Sequence, residues 1–160
     1  MTELPTGTVT FLFTDIEGST QLAQQFPGDL PDLLARHREI LQGSIQAQNG
    51  YVFQVVGDSF SVAFHSASDA VNAALDAQRY LHNEAWSPAA IKVRMGLHTG
   101  AAQLADDPTI EGPYVGYATL ALTQRIMSAA HGGQILLSQS TYELTRDEPA
   151  EQSQFTDMGE

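Results

Sequence analysis

Two aspartates, Asp15 and Asp58, are the residues of this sequence whose type and position could do chemistry. Asp15 directly follows the alternating run TVTFLFT, and Asp58 follows a glycine between two short β-rich runs. Carboxylate oxygens are the ligands that hard divalent cations such as Mg²⁺ prefer. Two such ions, Mg²⁺ or Mn²⁺, could activate a hydroxyl group and neutralise a leaving group. Aspartates are also common in ordinary turns, so a purely structural role for both stays open.

The segment after Asp15 is a candidate phosphate-binding turn. It enters a predicted helix, and the N–H groups and dipole at the start of a helix favour anions such as phosphate. The sequence therefore predicts a phosphate site next to the candidate metal site, formed by Ile16, Glu17, Gly18, Ser19 and Thr20.

The elements that position these residues follow from hydrophobic periodicity. Strands are predicted over residues 8–14, 51–56, 59–64, 91–98 and 135–137, where β-branched and aromatic residues are frequent. Two helices are predicted between residues 19 and 49, and further helices from about 66 to 81, over 119–130 and over 139–144. Gly57 and Asp58 suit a tight hairpin turn. Residues 105–116, which include two prolines, are predicted to form a loop.

This order of elements predicts an α+β fold with a ferredoxin-like βαββαβ core and additions. Such a core has a mostly antiparallel sheet with helices packed on one face. The first strand and the hairpin are neighbours in this sheet, so Asp15 and Asp58 can converge. A chain of 160 residues is long enough to bury a core, and we expect one domain over residues 1–160.

The composition excludes several classes of protein. The chain has no cysteine, which excludes a disulfide scaffold and a thiolate metal site. Its 19 acidic residues against 7 lysines and arginines give a net charge of -12, which repels phosphate backbones, so no nucleic-acid partner is expected. No apolar run is long enough for a signal core or a membrane span. We therefore expect a cytoplasmic domain that makes no membrane contact.

Four blocks of the sequence carry a family resemblance. They are FTDIEGST at 13–20, VGDSF at 56–60, RMGLHTG at 94–100 and AHGGQI at 130–135. In this order they resemble the class III adenylate/guanylate cyclase catalytic domain, most of all its soluble bacterial and mycobacterial branch. The resemblance implies conversion of ATP, with GTP as the alternative, into a 3′,5′-cyclic nucleotide and pyrophosphate. It also implies two Mg²⁺ or Mn²⁺ ions held by Asp15, Asp58 and the backbone carbonyl of Ile16.

The resemblance further implies a head-to-tail homodimer, or a pairing with a partner cyclase domain, because family sites form between two subunits. Arg125 takes the place of the arginine that one subunit presents to the phosphates bound by the other. A guanidinium can contact phosphate oxygens bidentately and stabilise charge that develops during phosphoryl transfer. Family members continue past the position of Glu160 into further strands, so we expect this domain to be truncated at its C-terminal strand pair.

Several positions depart from the family pattern. Gln54 replaces the lysine that reads adenine, and glutamine can still hydrogen-bond a purine edge but carries no charge. Pro113 replaces the acidic partner of that lysine, and Ala121 replaces the asparagine that acts with the arginine. The interval from Gly116 to Arg125 is also one residue longer than usual, which would turn a helix face by about 100°.

These departures predict weak or purine-relaxed activity, and they keep a second hypothesis open. In this alternative the chain is a degenerate cyclase homology domain that binds nucleotide or a partner without turnover. A third hypothesis, a diguanylate cyclase or polymerase-palm relative, is disfavoured because Ser59 stands where the second hairpin acid belongs.

Overall fold

The computed structural model describes residues 4–106, 109, 112–115, 117–149 and 153–159 and contains, within them, six strands and five helices. The strands are β1 (Gly7–Ile16), β2 (Tyr51–Val56), β3 (Ser59–Phe64), β4 (Val93–Leu104), β5 (Tyr114–Val115) and β6 (Ile135–Leu137). The helices are α1 (Ser19–Gln25), α2 (Leu30–Ala47), α3 (Ala67–Asn83), α4 (Tyr117–Ala129) and α5 (Gln139–Thr145).

The strands form one sheet in the order β2-β3-β1-β4-β5, and β6 pairs with β4 in parallel. The other pairs are antiparallel, and β1 lies between β3 and β4. The order β2-β3-β1-β4 is that of a ferredoxin-like core, so the predicted fold class is confirmed. The end of β1 therefore lies next to the β2–β3 turn on one side and next to the start of β4 on the other.

Helices α2 and α3 cover one face of the sheet and enclose the larger hydrophobic core, which includes Leu12, Leu41, Phe60 and Leu97. Both helices present an apolar stripe to the sheet, as a helix with apolar residues every three to four positions must. Helix α3 begins where sequence suggested, because the Ser66 hydroxyl accepts a hydrogen bond from the Asp69 N–H at 3.3 Å.

Helix α4, one of the additions to the core plan, packs on the opposite face. Its Met127 joins a second buried cluster with Phe11, Phe13 and Tyr114. The helix approaches β4 closely at Gly96, where a Cβ atom would overlap the backbone of Met127. The absence of a side chain at Gly96 thus sets how closely α4 lies on the sheet.

The observed elements differ from the predicted ones mainly in β4 and in the following loop. β4 was expected to end near residue 98, yet it runs to Leu104 and pairs with β1 as far as Ala102 opposite Gly7. Tyr114 and Val115 add the short strand β5 inside the predicted loop, against the end of β4. Within the described residues, no helix combines the length and the apolar character needed to cross a membrane.

Candidate active site

The β2–β3 turn brings Asp58 to the end of β1. The Oδ2 atom of Asp58 accepts a hydrogen bond from the Ile16 N–H at 2.7 Å. Gly57 supplies the turn conformation that a side chain would disfavour, with φ of 59°. Because Ile16 follows Asp15 directly, this bond places the two predicted metal carboxylates at one corner of the sheet.

Asp15 has a partner that the sequence interpretation did not identify. The Arg94 Nε donates to Asp15 Oδ1 at 2.6 Å, and Arg94 Nη2 donates to Asp15 Oδ2, so the guanidinium spans both carboxylate oxygens. The two residues are directly paired across β1 and β4. Bonding to Asp15 is the main reason that the pKa of Arg94 is raised above its ordinary value. Arg94 therefore belongs to the candidate site.

The donors at this corner have the chemistry that Mg²⁺ or Mn²⁺ requires. Two carboxylates and the Ile16 carbonyl are hard oxygen ligands, and such ions keep several waters and need few protein ligands. Among the described residues, no group of three or more histidine, aspartate or glutamate side chains is arranged to hold a metal. The site thus fits a cation through two carboxylates, provided that Asp15 is released from Arg94.

The candidate phosphate segment forms a turn between β1 and α1. Gly18 adopts a left-handed conformation with φ of 69°, and no side chain caps the first turn of α1, which begins at Ser19. Within the described residues, no side-chain acceptor bonds the N–H groups of Gly18, Ser19 or Thr20, and Thr20 is exposed. The Glu17 N–H donates to the Lys92 carbonyl at 2.9 Å, and the Glu17 carboxylate lies against Gly132.

The candidate base-reading residue Gln54 lies on the edge strand β2 and is exposed. It pairs with Ser61 just after an irregularity in the β2–β3 register. Pro113 contributes its carbonyl, which accepts from the Ala105 N–H at 2.7 Å. No hydrogen bond or ion pair joins Gln54 to Pro113 within the described residues.

Arg125 is exposed on α4, and Thr123 and Met127 occupy the side of the helix that faces the sheet. Within the described part of the chain, no hydrogen bond or ion pair joins Arg125 to Asp15 or Asp58. Gly116, from which the longer interval to Arg125 was counted, lies outside the described residues. The structure of one chain thus assembles Asp15, Asp58 and Arg94, but not Arg125.

The sequence matches the profile of the family described as "Adenylate and Guanylate cyclase catalytic domain" over residues 1–160. It is 40% identical to an uncharacterized protein of Mycobacterium tuberculosis over 97% of this chain and 51% of that protein. It is 33% identical to a receptor-type adenylate cyclase of Trypanosoma congolense over 86% of this chain and 23% of that protein. The chain therefore spans about half the length of the mycobacterial relative.

Solved structures show the same architecture. An adenylate cyclase from Trypanosoma brucei, solved in its monomeric state, aligns with a TM-score of 0.78 at 28% identity, over 88% of this chain and 77% of that one. A monomeric guanylyl cyclase domain from Blastocladiella emersonii aligns with a TM-score of 0.80 over 92% of this chain and 90% of that one. At 21% identity, the second likeness shows the fold alone.

Proposed function

The chain belongs to the adenylate and guanylate cyclase catalytic domain family, and from this premise we propose that it is a metal-dependent nucleotidyl cyclase domain. It converts ATP into 3′,5′-cyclic AMP and pyrophosphate in the cytoplasm, for intracellular signalling. GTP is the alternative substrate, because Gln54 can offer a donor and an acceptor to either purine. The observation that supports the proposal most is the 2.7 Å hydrogen bond from the Ile16 N–H to Asp58, which joins Asp58 to the residue directly after Asp15.

Each element of the corner has a role in this proposal. Asp15, Asp58 and the Ile16 carbonyl would hold Mg²⁺ or Mn²⁺. When bound, the ions supply Lewis acidity to the attacking 3′-hydroxyl and charge neutralisation to the triphosphate. The uncapped turn at Gly18, Ser19 and Thr20 donates N–H groups to phosphate oxygens.

The net charge of -12 opposes the binding of a triphosphate. A triphosphate approaching an acidic protein is repelled unless local positive groups compensate. Arg94 on β4 and Lys92, which directly precedes β4, together with the cations supply that compensation at the corner.

Arg125 acts on the site of a second subunit in this proposal. It is exposed on α4 and, within the described residues, forms no hydrogen bond or ion pair with Asp15 or Asp58 of its own chain. A head-to-tail homodimer, or a pairing with another cyclase domain, would place it at the phosphates of the partner. There a guanidinium stabilises the charge that develops on the transferring phosphoryl group.

A second candidate function is a degenerate cyclase homology domain that binds nucleotide or a partner without turnover. The observation in its favour is that both oxygens of Asp15 are occupied by Arg94, while Pro113 offers no polar side-chain group to a base-reading residue. This candidate would be supported if calorimetry shows that the chain binds ATP or GTP while neither nucleotide is converted into a cyclic product.

The test of cyclase activity is a comparison of the chain with its Asp58→Asn variant. Asparagine keeps the shape of the side chain and an acceptor for the Ile16 N–H, but removes the charge that a cation needs. With ATP or GTP and Mn²⁺ or Mg²⁺, we expect cyclic nucleotide formation to fall by about 100-fold or more.

Asp32→Asn is the matched control, because Asp32 is exposed in the first turn of α2. Its activity should equal that of the unchanged chain. Product that forms equally fast in the Asp58→Asn variant would contradict the proposed function.

A further inference from the structure

The pairing of Arg94 with Asp15 suggests how loading of the metal site is controlled. We propose that Arg94 is the resident counter-ion of Asp15, and that a divalent cation binds Asp15 only by displacing the Arg94 guanidinium. This inference rests on the proposed metal-dependent function and names a positioning residue that sets the metal affinity of the site.

The geometry of the pair is built into the sheet. Asp15 and Arg94 are directly opposite each other in the antiparallel β1–β4 ladder, so neither depends on a loop for its place. The guanidinium meets both carboxylate oxygens, one at 2.6 Å, in the bidentate arrangement that gives the strongest charge-assisted hydrogen bonds. The side chains of Arg94 and Asp15 are only 28% and 17% exposed, so solvent screens the pair less than an ordinary surface ion pair.

A second contact keeps Arg94 at the corner. Its Nη1 donates to the Ser128 carbonyl at 3.3 Å, near the C-terminal end of α4, where unpaired carbonyls favour a cation. The carboxylates of Glu17 and Asp58 also act on Arg94 and help to raise its pKa. A guanidinium stays protonated in proteins, so Arg94 keeps its positive charge when Asp15 is released.

A dication and the guanidinium compete for the same atoms. Each Asp15 oxygen retains lone pairs, but a metal ion bound there would lie within a few ångströms of the positive Arg94. Like charges at such a distance repel strongly in a partly buried site. Pairing with Arg94 and metal binding at Asp15 are thus alternative states of one carboxylate.

The test measures binding of Mn²⁺ alone, without nucleotide, by the electron paramagnetic resonance signal of free Mn²⁺ in titrations of the full chain. Arg94→Gln removes the charge and the bidentate contact, and its Kd for Mn²⁺ should be about tenfold lower than that of the unchanged chain. Arg94→Lys keeps the charge but cannot span both oxygens, so its Kd should fall less, by about threefold.

Two controls separate this role from a general effect of charge. Arg38→Gln removes the same charge from an exposed position on α2, and its Kd should stay within about twofold of the unchanged chain. The double variant Asp15→Asn, Arg94→Gln should not bind Mn²⁺ more tightly than the unchanged chain, because it lacks the carboxylate that Arg94→Gln alone would release.

The proposal is overturned if Arg94→Gln binds Mn²⁺ no more tightly than the unchanged chain, or if neither protein binds it. It is also overturned if Arg38→Gln gives the same gain. If circular dichroism shows that Arg94→Gln is unfolded, the Arg94→Lys variant provides the test. A Kd of Arg94→Lys for Mn²⁺ equal to that of the unchanged chain then counts against the proposal. Tighter Mn²⁺ binding by Arg94→Gln without cyclic product from any form of the chain would instead refute the proposed cyclase function alone.

Discussion

His37 is a buried titratable group that makes the stability of the fold depend on pH. It lies on α2 with 1% exposure, and its ring meets Phe60 edge to face at a centroid distance of 5.9 Å. Its Nε2 has no hydrogen-bond partner within the described residues. Burial, with a smaller effect of Arg38, lowers the pKa of His37 to about 4. The folded protein therefore holds this imidazole in its neutral form at pH values where the unfolded chain protonates it.

We predict that the free energy of unfolding falls as the pH is lowered from 7.5 to 5. Between pH 6.5 and about 4 the unfolded state binds a proton at His37 that the folded state does not, so acid favours unfolding. The contribution lost by pH 5 is about 2 kcal/mol. Urea unfolding at pH 7.5, 6 and 5 measures the free energy of unfolding. Its decrease between pH 7.5 and pH 5 should be smaller by about 2 kcal/mol in His37→Leu than in the unchanged chain.

The matched control for this prediction is His82→Gln, because His82 is exposed on α3. Its stability should show the same dependence on pH as that of the unchanged chain. An equal fall in His37→Leu and in the unchanged chain would show that other groups cause the dependence.

The residues of the candidate site differ in how far the sequence could predict them. The convergence of Asp15 and Asp58 follows from strand order, because a strand end and a neighbouring hairpin turn share a sheet edge. Arg94 was missed because its role depends on the β1–β4 register, which places Arg94 opposite Asp15. Antiparallel pairing of the end of β1 with the start of β4 could have indicated it. The functional roles of Asp15, Asp58, Arg125 and Gln54 stay predictions.

At the scale of elements, the boundaries that local turn chemistry sets were predicted well. The boundaries that long-range contacts set were not. The bounds of β2 and β3 were predicted correctly, because Gly57 and Asp58 allow only a tight connection. β4 was predicted too short, because the prediction ended it at residue 98 and the strand runs to Leu104. In the structure Gly100 lies under Thr119 of α4, so its missing side chain serves a close approach inside a longer strand. The sequence around Gly100 gives no sign of this contact with α4.

The contact between α4 and β4 yields a prediction on stability. In Gly96→Ala, the added methyl group overlaps the backbone of Met127, so α4 must move away from the sheet. We expect a loss of about 1–3 kcal/mol in the free energy of unfolding. Gly43→Ala is the control, because Gly43 lies in α2 with open space around it and should gain about 0.5–1 kcal/mol. Equal free energies of unfolding for Gly96→Ala and Gly43→Ala, measured in urea, would contradict the close approach of α4 to β4 at Gly96.

At the scale of the whole molecule, one chain carries the parts of the proposed active site on different elements. Asp15 and Asp58 lie at the corner formed by β1 and the hairpin, and Arg125 lies exposed on α4. The exposed apolar side chains of Val55, Val56 and Tyr117, with exposures of 46%, 62% and 87%, lie on the elements that carry Gln54 and Arg125. A second subunit covering these elements would bury them and complete the site.

This arrangement predicts that two inactive variants restore activity when mixed. Asp58→Asn lacks the metal carboxylate, and Arg125→Ala lacks the residue donated to the partner, so each homodimer is inactive at both sites. In a head-to-tail heterodimer, one site carries both defects and the other carries none. With random pairing, half of the dimers are mixed and each has one intact site, so activity should return to about a quarter of that of the unchanged chain. Cyclic nucleotide formation by an equimolar, subunit-exchanged mixture measures this return, and a mixture as inactive as its components would show that Arg125 does not act across subunits.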